Sequence, residues 1–288
     1  MIYKANGDYG LAVKNYKIAQ KLNPFAKKYL SAVYAISQMI AKEGDQDYRR
    51  QEFDLAISKY EDAISYNPDY AIAFFKLART YYKLKDYENA QISLQNGLLI
   101  DPHQEQSEKM LGDIYRKNGN TNEALNHYNR AIEINGNYYQ AFYSLGSLYL
   151  SEGDFENAKI SLNSAIRFNP SYAKAHGALG TVEQELGNIK LAILNYTKAV
   201  DIEPKLYDVH YRLASVFNED GQNDKAKESA KKSISLKRNY APAFFELGLA
   251  EKSLGNKVAA KDAFEKAKKD RNWRKSAEFE LDMLNKGF

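Results

Sequence analysis

Apolar side chains recur along this chain at spacings of three and four, and the pattern restarts at a fixed interval. Between Tyr139 and Tyr172, the residues Phe142, Leu145 and Tyr149 fall on one face of a helix. Gly153 follows, and glycine readily takes the left-handed conformation that ends a helix. Asp154 can cap the next helix, whose apolar face is marked by Ala158, Leu162 and Ala165. Pro170 closes the unit and biases Asn169 away from helix. The pattern predicts paired helices of about 12 to 15 residues, each about 20 Å long, joined by tight turns.

The unit repeats every 34 residues, as Ala56, Ala90, Ala124, Ala158, Ala192, Ala226 and Ala260 show. Leu77, Leu111, Leu145, Leu179, Leu213 and Leu247 keep the same beat, each followed by glycine or alanine. Glycine recurs at 119, 153, 187, 221 and 255, with Gly7 as an early copy. Proline closes units at 24, 68, 102, 170 and 204. Tyr16, Tyr60, Tyr128, Tyr196 and Phe264 fill an aromatic position. The small residues mark where two helices approach closely. A hairpin of this kind cannot bury its apolar faces alone, so the pattern predicts stacking into a quasi-one-dimensional array.

These residues closely resemble the tetratricopeptide repeat family over nearly the whole chain. The resemblance implies an all-α fold, a right-handed superhelical α-solenoid of stacked helix-turn-helix hairpins. The units would run 1–26 (second helix only), 27–70, 71–104, 105–138, 139–172, 173–206, 207–240 and a degenerate 241–274, with a capping helix over 275–288. Ala12 precedes Ala56 by 44 residues, so about ten are inserted, and the polar stretch Lys42 to Gln51 is the expected place. There it would extend a helix and lengthen the turn. Tyr3 and Gly7 match the end of a first helix whose beginning is absent.

Composition narrows the chemistry. The net charge is +4, from 41 basic and 37 acidic residues, which argues against nucleic acid as the partner. There is no cysteine, which excludes disulfides, thiolate zinc sites and cysteine nucleophiles. Met1 to Gly10 lacks the apolar core of a signal peptide, and no stretch reaches the roughly 20 apolar residues of a membrane span. The chain therefore reads as soluble, cytoplasmic or periplasmic. His176 and His210 take the position that Phe74, Phe142 and Phe244 take elsewhere, which marks them as packing residues. No phosphate loop and no converging metal ligands are legible, so neither an enzyme nor a cofactor is expected. Glu183 and Glu251 replace an aromatic. Their carboxylates must reach water or a basic partner, because an unpaired buried charge is costly.

Function then follows from the resemblance. It implies a protein–protein interaction scaffold that holds a partner segment in the concave groove lined by the first helix of each hairpin. The alternative is a regulatory or substrate-recruiting region of a larger enzyme, and self-association through the solenoid ends is compatible with both. Candidate contact residues are Phe75, Lys76, Arg79, Lys83, Lys109, Met110, Arg116, Lys117 and Tyr143. Six cations against Asp113 sum to +6 − 1 = +5 over the lining of 71–138, so a protein or peptide with acidic residues or a free C-terminus is the expected partner. Further lining residues include Lys174, Thr181, Gln184, Asp208, Arg212, Ser215, Glu219 and Glu246. The set of Lys, Asn and Arg that the family's clamp for chaperone C-termini needs is not supplied by any three consecutive repeats.

Overall fold

The computed structural model describes residues 8–23 and 27–286. Within them lie sixteen α-helices and no strand. Tyr3, Gly7 and Pro24 fall outside the described residues, whereas the helix of the partial first repeat lies within them. The chain divides into two units, residues 1–136 and 137–288.

The first unit holds α1 (Tyr9–Leu22), α2 (Lys27–Arg49), α3 (Phe53–Tyr66), α4 (Ala71–Lys83), α5 (Tyr87–Ile100), α6 (Glu105–Lys117) and α7 (Thr121–Ile134). The second holds α8 (Tyr139–Ser151), α9 (Phe155–Phe168), α10 (Ala173–Glu185), α11 (Ile189–Ile202), α12 (Tyr207–Glu219), α13 (Asn223–Leu236), α14 (Ala241–Ser253), α15 (Lys257–Ala267) and α16 (Arg274–Asn285). In each unit a helix packs first on its hairpin partner and next on the following hairpin, the arrangement of a helical-repeat solenoid.

The turns show why the sequence breaks where it does. Gly153 stands at φ +79°, and the next amide, of Asp154, donates back to the Tyr149 carbonyl at 2.9 Å. That bond satisfies a carbonyl the helix end leaves unpaired. The Asp154 side chain then accepts from the Asn157 amide at 3.1 Å and starts α9. Lys85 and Gln51 occupy the same turn position with φ of 66° and 65°, where five other repeats have glycine. The turn closes there as well, through the Asp86 amide and the Tyr81 carbonyl at 2.9 Å.

Packing is densest where the two helices of a hairpin meet. The seven alanines spaced by 34 are all fully buried. Leu77, Leu111, Leu145, Leu179 and Leu213 are buried as expected, and Leu247 is half-buried. Helix α2 is 23 residues long, against 13 for α4, α6, α8, α10, α12 and α14. A methyl on Gly44 would lie 2.9 Å from the Tyr60 ring, much as one on Gly112 would lie 2.6 Å from Tyr128. The 34-residue register therefore already holds at Gly44, and it holds again at the Gln51 turn. The added length lies on the N-terminal side of α2, ahead of Ser37, and not within 42–51. The polar side chains of 42–51 hide the repeat, which is why the sequence pattern points to them as the insertion.

A non-glycine residue held in the left-handed region is strained by about 1 kcal/mol. Lys85→Gly is expected to stabilise the chain by roughly 0.5 to 1 kcal/mol in urea unfolding. A loss of stability of similar size would mean that the Lys85 side chain makes a contact worth more than the strain.

Candidate functional site

The first helices of the hairpins carry the candidate contact residues, and each unit arranges them differently. In the first unit Tyr60 of α3 donates to Asp45 Oδ1 at 2.9 Å. Asp45 meets the Lys76 ammonium and lies 3.5 Å from the Arg79 guanidinium. Arg79 also covers the Tyr48 ring, 4.4 Å from its centroid. On α6, Lys109 pairs with Asp113 at 2.6 Å, and Asp113 accepts from Tyr128 at 2.8 Å. Phe75 and Met110 are half-buried against one apolar cluster that includes Leu94, Leu111 and Ile114. Lys83, Arg116 and Lys117 are exposed, with Lys117 5.6 Å from the Tyr87 ring centroid.

The expected excess of positive charge is thus partly neutralised from inside. Three of the six cations are held by Asp45 or Asp113, and Asp45 lowers the count to +6 − 2 = +4. Asp45 is missing from the sequence-based lining because it lies in the stretch that the pattern marks as an insertion. A signal for it is present all the same, since it stands 68 residues before Asp113.

In the second unit Tyr143 packs edge-on against Tyr172, 5.1 Å between centroids. A cavity of about 330 Å³ lies beside it, walled by Lys174, Gly177, Thr181, Asp208 and Arg212 among others. A second hollow, of about 340 Å³, follows on the other side of Arg212, with Gln184, Glu185, Tyr211, Ser215 and Glu219. Gln184 bridges to Glu219 at 2.7 Å. Lys174, Thr181, Gln184, Asp208, Arg212, Ser215 and Glu219 are among the residues expected to line the face in this half of the chain, and Gly177 is not. Glu246 of α14 lies deeper, 6% exposed, and takes a hydrogen bond from Asn218 Nδ2 at 2.9 Å. Burial pushes its carboxyl up to about 7; bonds from Asn218 and Ser215 oppose this, and nearby Glu219 adds to it.

Other singled-out residues turn out to be structural. Glu183 and Glu251 are buried, and their carboxylates do not stay in water. Lys159 of the preceding hairpin meets Glu183 at 2.9 Å, and Lys227 meets Glu251 at 2.9 Å. Asn188 and Asn256 donate to the same two carboxylates at 2.9 and 2.7 Å. The basic partner is therefore supplied by the chain itself, 24 residues earlier in both cases. His176 and His210 are buried, and a ring nitrogen of each meets the carbonyl of Pro170 or Pro204 at 3.0 and 3.1 Å. Burial lowers the His210 pKa, against the pull of the Pro204 carbonyl. Sequence reasoning missed Glu108, fully buried in the same repeat position. Its carboxylate meets His127 Nδ1 at 2.6 Å, and Arg130 lies 3.1 Å away but poorly aligned for a hydrogen bond. No cluster of metal ligands occurs among the described residues, and no described helix is long and apolar enough to cross a membrane.

Comparison with known proteins agrees with this architecture. The TPR repeat family matches residues 44–102 and 112–153, and the Tetratricopeptide repeat matches 139–172, 173–206, 207–240 and 241–269. The chain belongs to the tetratricopeptide repeat family, whose members are protein-interaction modules. It is 28% identical over 102 residues to the small glutamine-rich tetratricopeptide repeat-containing protein 2 of Saccharomyces cerevisiae strain ATCC 204508 / S288c. That match covers 35% of this chain and 30% of the yeast protein. Among solved structures, MamA is 27% identical with a TM-score of 0.52, over 55% of this chain and 92% of that one. YrrB, described as a TPR protein with an unusual peptide-binding site, shares the fold at 19% identity. Its TM-score is 0.57, over 65% of this chain and 96% of that one.

Glu246 sets a pH dependence whose sign is fixed. An unfolded Glu titrates near 4.5 and this one near 7, so between those values the unfolded chain has released a proton that the folded chain keeps. Its contribution to stability is therefore present below pH 4.5 and lost as pH rises through 7. Glu246→Gln should remove that loss, making the variant more stable than the parent at pH 8 by up to about 3 kcal/mol. The measurement is urea unfolding at pH 5 and pH 8. Equal pH dependence in the two proteins would show that Glu246 titrates normally.

Proposed function

We propose that this chain is a scaffold that holds a protein or peptide partner along the faces made by the first helices of its hairpins. One observation carries the reading. In the second unit the first-helix face holds Lys174 and Arg212, the half-buried Tyr143 and Tyr211 and two open hollows, while the buried Glu183 and Glu251 are tied into structural pairs. A large share of rigid aromatic surface with a few directional charges suits recognition of a polypeptide segment. The peptide-binding site described for YrrB is compatible with this use of the fold.

In the first unit the partner contacts are Phe75, Met110, Lys83, Arg116 and Lys117, with Lys76, Arg79 and Lys109 in supporting ion pairs. Tyr143 contributes in the second unit. The partner segment carries acidic residues or a free C-terminus. A guanidinium grips a carboxylate with two hydrogen bonds, which gives Arg116 the directional role.

The test is affinity capture with cross-linking, using the full chain and a double charge reversal, Arg116→Glu with Lys117→Glu. The parent should retain a specific partner whose binding weakens as salt rises, since exposed charges are screened beyond roughly 8 to 10 Å. The reversal should weaken that partner by about tenfold or more. Equal capture and equal salt dependence would remove the basic face of the first unit from the binding surface.

A further inference from the structure

The repeats provide an internal template for one of the hollows. In the first unit three side chains form a line: the Tyr60 hydroxyl donates to Asp45, and Asp45 meets the Lys76 ammonium. Adding 136, which is four repeats, to each number gives Tyr196, Thr181 and Arg212. The tyrosine behaves alike in both places. Tyr60 donates to Asp45 at 2.9 Å, and Tyr196 donates to Thr181 Oγ1 at 3.1 Å, shared with Gln184 Oε1 at 3.1 Å. The cation is also kept, as an arginine in place of a lysine. The carboxylate between them is replaced by a threonine hydroxyl.

The cavity of about 330 Å³ opens at this point, between α10 and α12, with Thr181 and Arg212 both in its wall. Arg212 is half-buried, lies against the Tyr196 hydroxyl, and has its guanidinium 5.5 Å from the Tyr211 ring centroid. Among the described residues no carboxylate forms an ion pair with it. Asp208, one turn earlier on α12, lines the same cavity without pairing with Arg212, and Lys174 adds a second cation. The charged wall residues sum to +2 − 1 = +1. A guanidinium drawn partly out of water gains most from an anion that can satisfy its fork of donors.

We propose that this cavity receives a carboxylate from a partner segment, seated between Thr181 and Arg212 as Asp45 sits between Tyr60 and Lys76. The proposal rests on the reading that the first-helix faces hold a partner, and it names the group the second unit recognises. Arg212 offers two parallel hydrogen bonds. The Thr181 hydroxyl, which accepts from Tyr196 and donates only a long 3.3 Å bond to the Gly177 carbonyl, can turn its proton to a third. The carboxylate can come from an Asp or Glu side chain or from a chain terminus, since the chemistry at the site is the same.

The test needs no natural partner. Binding to the full chain is followed by NMR at the backbone amides of α10 and α12, together with the Arg212 Nε–Hε signal where Arg212 is present, using three capped tripeptides: acetyl-Gly-Glu-Gly-amide, acetyl-Gly-Gly-Gly with a free carboxylate, and acetyl-Gly-Gln-Gly-amide. At least one carboxylate peptide should give a saturable shift and the Gln peptide none; the responder identifies the side chain or the terminus as the source. Thr181→Asp restores the arrangement of Asp45 from within, so it should weaken peptide binding by at least about tenfold while raising the melting temperature. Arg212→Gln should abolish the binding, and it carries the same comparison if Thr181→Asp fails to fold. The proposal is overturned if neither carboxylate peptide produces a saturable change in the parent, or if the two variants bind as the parent does. A natural partner that both variants still hold at full affinity would leave the scaffold reading standing and remove this site.

Discussion

The close approach of two helices at a small or missing side chain is the constraint on which the hairpins depend. A methyl on Gly180 would fall 2.6 Å from the Tyr196 ring, and one on Gly248 would fall 2.4 Å from Phe264. Gly112 with Tyr128 and Gly146 with Leu162 repeat the arrangement, at 2.6 and 2.8 Å. No real side-chain carbon tolerates such distances, so in these four hairpins the second helix can seat its large residue only because the first has glycine there; Ala78 and Ala214 take the position in two others. Once seated, that residue fixes the register of the hairpin, and the fully buried alanines complete the contact. Interiors packed to this density leave little room for adjustment.

The same seating sets the chemistry of the first-helix face. A buried tyrosine at this position has its hydroxyl at the far end of the ring, and burial alone would leave that group costly. Tyr60 and Tyr128 satisfy it with Asp45 and Asp113, which then attract Lys76, Arg79 and Lys109. Tyr196 satisfies it with neutral groups, Thr181 and Gln184, and the neighbouring Arg212 is left without a carboxylate. Where Leu94 or Leu162 fills the position no hydroxyl needs a partner. Variation in one core position thus propagates to the face where a partner would be held.

The fold was legible because its determinants are periodic: small residues, glycine turns and apolar stripes all recur at 34 residues. The limits of legibility have equally specific causes. Asp45 was hidden because its helix shows polar residues where other repeats show apolar ones, so its register could not be recognised. The pairing of Lys159 with Glu183 runs between neighbouring hairpins, and a reading that treats each repeat alone supplies no partner for Glu183. The lining positions themselves follow from the repeat phase, which is why Lys174, Thr181 and Arg212 could be placed on one face in advance. Whether such cations are free or already paired depends on side chains on the same helix and one repeat away, and only the packed structure displays that.

The close approach can be tested directly by native-state hydrogen exchange on the full chain carrying Gly180→Ala. Overpacking at such a contact costs roughly 1 to 3 kcal/mol. Because neighbouring hairpins stabilise one another, the account predicts that amide protection falls in α10 and α11 first, to a smaller degree in α9 and α12, and least in α15 and α16. Unchanged protection throughout α10 and α11, or an equal fall in every helix of the second unit, would contradict it.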